Sequence, residues 1–129
     1  MTPDRIVLTI PRDAGFEDVA QLVLAGVAAR LNLTYEVIDD LGTALAALIE
    51  RRGEVGDLTV ELEVGADTVT AAIGPFRGDR IRAELARRDH GVGLRRVLET
   101  VVEGFGALDR EDGVWIEVRK RAERVRSAQ

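Results

Sequence analysis

The chain has no cysteine, one histidine, one asparagine, one lysine and five aromatic residues among its 129 positions. Each scarcity removes a class of function. Without thiols there is no disulfide, no thiolate zinc site and no cysteine nucleophile. The single His90 cannot build a multi-histidine metal centre, and its place beside Gly91 suits a turn. Five aromatics leave little for stacking on bases. A net charge of -5 lacks the clustered cations that phosphate neutralisation needs, so nucleic acid is not an expected partner. No apolar run approaches the roughly 18 residues of a membrane-spanning helix, so no membrane role is expected either. The opening Met1-Thr2-Pro3-Asp4-Arg5 has neither the basic nor the apolar part of a secretory signal, and a cytoplasmic location is the expectation. All basic residues but Lys120 are arginines, a bias that speaks of genome composition more than of function.

What remains is ordinary globular material. With 46% hydrophobic and 32% charged residues, the chain is neither disordered nor membranous, and its length fits one domain over residues 1–129. Folding at this size hides about two-thirds of the chain's surface, enough for a real core.

Periodicity supplies the elements. Ile6, Leu8 and Ile10 alternate with Arg5, Val7 and Thr9 until Pro11, which predicts a first strand. Phe16, Val19, Val23, Val27 and Leu31 then recur at steps of three and four, one apolar helix face. Thr34 can cap a second helix with Glu36 in its first turn and Ile38, Leu41, Leu45, Leu48 and Ile49 as its stripe. Gly53 and Gly56 end it. Leu58, Val60, Leu62 and Val64 alternate as a strand, Gly65-Ala66-Asp67 turns the chain, and Val69, Ala71 and Ile73 continue the alternation until Gly74-Pro75 is expected to break it. Residues 79–88 predict a charged helix anchored by Ile81 and Leu85, with a Glu84–Arg88 pair. Leu94, Val97, Leu98, Val101 and Val102 mark a further helix, and a hairpin turning at Asp112-Gly113 closes the chain with Val114, Ile116 and Val118 buried. The basic run from Arg119 through Lys120, Arg121, Arg124 and Arg126 reads as a charged tail over residues 119–129, solvated or docking an acidic partner.

Little in this layout carries chemistry. Asp39 and Asp40 point about 100° apart on a helix, wrong for a carboxylate dyad, and read as a solvated edge. No threonine has a histidine base in a local motif.

The order strand, helix, helix, strand, strand, helix, helix, strand, strand excludes a βαβ repeat and predicts an α+β fold, a mixed sheet with helices on one face. That order, with "IPRDAGFEDVAQLVLAGVAARLNLTYEVIDDLGTALAAL", "IGPF" and "HGVGLRRVLETVVE", resembles the histidine-kinase-like (GHKL) ATPases, specifically their anti-sigma serine-kinase branch. The resemblance covers nearly the whole chain and implies the two-layer α/β sandwich of the Bergerat type. In active relatives the second helix carries a glutamate base and, four residues on, a magnesium-binding asparagine, two side chains that share one helix face. The resemblance puts these positions on Ala47 and Arg51, neither of which can do that work. A shift of register would offer Glu50 as base but leave Glu54, beyond Gly53, at the metal position. The relatives' adenine-binding aspartate falls on Ala72, in a box that keeps Gly74, and the second glycine box matches Gly91, Gly93 and Leu94, which reads first as a tight entry turn that lets the helix pack closely and alternatively as a helix start that meets an anion with help from Arg87, Arg88, Arg95 or Arg96.

The expectation is therefore a degenerate, noncatalytic regulator of the anti-sigma type, without a cofactor. Partner switching with a sigma factor or a STAS-domain anti-anti-sigma protein is implied, as is a homodimer, and Glu17, Asp18 and Gln21 on the first helix are the expected partner face. The alternative is a serine kinase or ATP sensor that still binds ATP and magnesium.

Overall fold

A computed structural model describes residues 4–11, 18, 21–26, 31–51, 56–87 and 93–123. Five strands, β1 (Asp4–Ile10), β2 (Leu58–Val64), β3 (Thr68–Phe76), β4 (Gly104–Arg110) and β5 (Gly113–Arg121), form one sheet in the order β1-β2-β3-β5-β4. Packed with it among the described residues are the helices α1 (Tyr35–Ile49), α2 (Gly78–Ala86) and α3 (Leu94–Val101). Residues 21–26 are also helical, at the place of the expected first helix.

The period-two pattern sets the sheet. In β2 every second residue from Leu58 to Val64 is buried, and its partners Ile10, Leu8 and Ile6 of β1 and Ile73, Ala71 and Val69 of β3 present the same face. Every neighbouring pair of strands is antiparallel, so the sheet is not mixed as expected. Two hairpins impose this on the β2–β3 and β4–β5 pairs, one through Gly65-Ala66-Asp67 and one through Glu111-Asp112. At the second, Gly113 has φ +145, and a side chain there would press on the Phe76 carbonyl oxygen at 2.8 Å.

Gly74-Pro75 does not end β3. The peptide bond is cis, the strand runs on to Phe76, and the register with β5 shifts between Ile73 and Phe76. Gly74 serves close packing: a Cβ there would lie 2.6 Å from Trp115, whose ring is buried on the sheet face away from the helices.

Against the other face pack the helices. α1 starts where Thr34 accepts a hydrogen bond from the Val37 amide at 3.4 Å and buries Val37, Leu41, Ala44, Leu45, Leu48 and Ile49. Burying one such leucine contributes about 1.5–3 kcal/mol, and these residues, with Ile81 and Leu85 of α2 and Leu94 and Leu98 of α3, form one core with the sheet. Ile38, expected in the stripe, lies at its edge and is only partly buried.

The first helical stretch needs a correction. Leu24 is 4% exposed and Val23 38% exposed, so the covered face is turned by one residue from the one its spacing indicates. Leu31 packs partly against the core, while Phe16, Val19 and Val27 lie outside the described residues. A second correction concerns the basic tail. Arg119, Lys120 and Arg121 belong to β5, because each finds a ladder partner in Thr70, Val69 and Thr68. Residues 124–129 lie outside the described residues.

Candidate functional site

A cleft of about 600 Å³ opens beside the outer face of α1, facing residues 21–26 and the middle of α3. Helical spacing builds its α1 wall: Asp39, Gly42, Thr43, Ala46 and Glu50 recur at steps of three and four opposite the buried stripe. Gln21, Leu24 and Ala25 form the second wall, and Val97 of α3 completes the lining. Ala47 and Arg51 both line it, so the two residues that the resemblance aligns with base and metal ligand do share one wall.

Their chemistry there is plain. Ala47 is 8% exposed and presents a methyl group, which accepts no proton. Arg51 lies just beyond α1, its Nη1 donating to the Ala47 carbonyl at 2.9 Å and its Nε to Glu84 Oε2 of α2 at 3.1 Å. A third contact joins Nη1 to Glu50 Oε2 at 3.4 Å. A fixed guanidinium charge thus lines this wall of the cleft, at the position the resemblance aligns with a metal ligand, and such a charge repels a divalent cation. Glu84 therefore pairs with a residue 33 positions away, whereas Arg88, its expected partner, is outside the described residues. Glu50 is an exposed C-cap that pairs with Arg51, and Glu54 is outside the described residues.

The other expected positions do not gather in the cleft. Ala72 pairs across the sheet with Glu61 and Glu117, on the face away from the helices, so it cannot contact anything held beside α1. Gly74 lies on that same face under Trp115. Gly93 is the exposed N-cap residue of α3, Leu94 is a core residue at 1% exposure, and Gly91 is outside the described residues, as is His90. Among the arginines expected to meet an anion, Arg95 is engaged: it donates to the Leu85 carbonyl at 2.9 Å, pairs with Glu99 at 3.5 Å and lies over the Phe105 ring. Arg96 is exposed, and Arg88 is outside the described residues. Of the expected partner face, Asp18 and Gln21 are exposed, with Gln21 lining the cleft, while Glu17 is outside the described residues.

Asp40 is not a solvated edge. It forms an ion pair with Lys120 at 2.8 Å, and Glu103 adds a second carboxylate at 3.6 Å. Burial pulls the Lys120 pKa down, but the hydrogen bond and charge of Asp40, with those of Glu103, outweigh it and raise the pKa above its ordinary value. This contact ties α1 to β5.

The sheet face opposite the helices carries its own cluster. Arg110 stacks on Trp115 at 4.1 Å from the ring centroid and reaches both oxygens of Glu61 at 3.1 Å, while the indole Nε1 donates to Asp112 at 2.8 Å. Alternation alone places Trp115 opposite Val114 and Ile116, but its burial depends on Gly74 of the neighbouring strand. Gly42 is a further cleft residue that motif spacing does not single out, although a glycine in mid-helix is visible in the sequence.

No family model matches the chain, and no curated protein matches it in sequence. A solved structure, the RsbU and RsbW domains of Rv1364c from Mycobacterium tuberculosis, is similar in fold, with a TM-score of 0.68 over 98% of this chain at 15% identity. The chain spans 35% of that protein's solved chain. At this identity the likeness is one of fold alone, a five-stranded sheet with helices packed on one face.

Proposed function

We propose that this chain is a noncatalytic, protein-binding regulator of the anti-sigma type, acting by partner switching on a sigma factor or a STAS-domain protein in transcription control. One observation carries the noncatalytic part. The Arg51 guanidinium, held by the Ala47 carbonyl and Glu84, lies four residues beyond a methyl group where the relatives need a carboxylate base and a metal ligand. Residues of this kind do not fit a magnesium nucleotide, because a fixed cation opposes the metal and a methyl group cannot take the proton of an attacking hydroxyl. The regulatory part is supported by the resemblance of residues 10–48 to the anti-sigma branch and by the shared fold with a protein that contains an RsbW domain. The fold alone does not set the function, but a surface that binds proteins can outlast a lost active site.

Titration calorimetry with magnesium ATP, followed by a phosphate-transfer assay on a purified STAS-domain protein, tests the reading. Absence of nucleotide binding together with complex formation with the STAS protein or a sigma factor is the expected outcome. Micromolar nucleotide binding followed by phosphate transfer would assign the kinase alternative instead.

A further inference from the structure

The cleft beside α1 has features that a nucleotide does not explain. Its two walls are apolar through Leu24, Ile38 and Val97, and the α1 wall is flat at Gly42 and Ala46, one turn apart. Gly42 stands in mid-helix without any need of its own. Its φ is not positive, and a Cβ added to it would meet nothing within 4 Å. Glycine weakens a helix interior, and the bare stretch of α1 backbone it leaves is one that another helix can approach closely.

An exposed aromatic side chain belongs to the same place. Among the described residues the large hydrophobics left exposed are Val7, Leu22, Val23, Tyr35 and Leu108. Of these, Tyr35 lines the cleft. The rim is acidic. Asp39 is exposed and takes part in no ion pair among the described residues, and Glu50 is exposed at the other end. Among the described residues the one cation that lines the cleft, Arg51, is already shared between Glu50 and Glu84. Such a lining disfavours a phosphate group and favours a basic one.

We infer that this cleft docks a helix of a partner protein that presents a narrow apolar stripe beside a basic residue. The stripe lies over Gly42 and Ala46, where the missing side chains let two helix backbones approach, and the basic residue meets Asp39. The inference rests on the protein-binding reading above and names the chemistry of its partner.

The test uses the full chain and two synthetic peptides of about 16 residues, long enough for a few helical turns. Both carry leucines at i, i+3, i+4 and i+7; one has lysines and arginines flanking the stripe, the other glutamates. Fluorescence anisotropy is expected to show the basic peptide binding about tenfold tighter or more, a difference of about 1.4 kcal/mol. Gly42→Trp and Thr43→Arg, each with a thermal melt matching the parent, are expected to weaken that binding about tenfold, and Asp39→Lys to abolish the preference for the basic peptide. Equal affinity for both peptides, no binding of either, or unchanged binding by both cleft variants overturns the inference. So does a dimer in sedimentation that Gly42→Trp dissociates, because the cleft would then belong to a second copy. The two readings fail separately: displacement of the peptide by magnesium ATP with turnover sinks the noncatalytic reading, whereas absence of both nucleotide and peptide binding sinks only the docking inference.

Discussion

Gly42→Ala is the substitution whose outcome the structure determines most directly. Gly42 lies in the interior of a 15-residue helix, with no positive φ and no atom within 4 Å of the place an added methyl would take. Alanine therefore keeps the same backbone, removes freedom from the unfolded chain and displaces nothing. The gain expected for glycine to alanine in a helix interior is about 0.5–1 kcal/mol. An unfolding entropy of about 2.1 cal/mol/K per residue makes 1 kcal/mol worth about 4 °C at this length, so the melting temperature should rise by about 2–4 °C. Circular dichroism through thermal and urea unfolding measures both quantities. The urea midpoint should rise with an unchanged slope, because the surface exposed on unfolding is the same. A fall in stability would mean that the space above Gly42 is filled within the chain itself, and the reasoning that assigns it to a partner would fail with it.

Two further outcomes follow from the ion pairs. Arg51→Ala and Glu84→Ala, combined in a double-mutant cycle, should show a coupling of about 0.5–1.5 kcal/mol, reduced from the buried-pair range because the side chains are 25% and 34% exposed; a coupling of zero would show that α2 is not held to α1 through this contact. Lys120 has a pKa raised in the folded state, so its ion pairs contribute stability below the ordinary value of 10.5 that is lost as pH rises through the higher folded value. Alkaline unfolding should therefore be steeper for the parent than for Lys120→Met, and identical pH dependence of the two would refute the link between Lys120 and Asp40.

Much of the architecture was legible because it is local. The alternation from Leu58 to Val64 and from Val69 to Ile73 and the cap at Thr34 are statements about neighbours in the chain, and each found its element, while the closing turn fell one residue earlier than expected, at Glu111-Asp112, with Gly113 already paired in β5. The candidate site was only half legible. Ala47 and Arg51 share a wall as their four-residue spacing requires, but Ala72 points to the opposite sheet face, a matter of strand parity that residue similarity does not report. Val23 and Leu24 show the same limit: both suit an apolar face, and the layer beneath selects Leu24.

The sequence by itself determined the kinds of residue available to any site: no thiol, a single histidine, and no carboxylate or amide where the resemblance calls for base and metal ligand. Composition and spacing are carried by the chain before it folds. Tertiary structure alone decided what surrounds those residues. It brought Glu84 to Arg51 and Asp40 to Lys120, placed Trp115 against Gly74, and left Gly42 facing open space beside an acidic rim. These pairings join residues far apart in the chain, and no local rule weighs one distant partner against another until the core has packed.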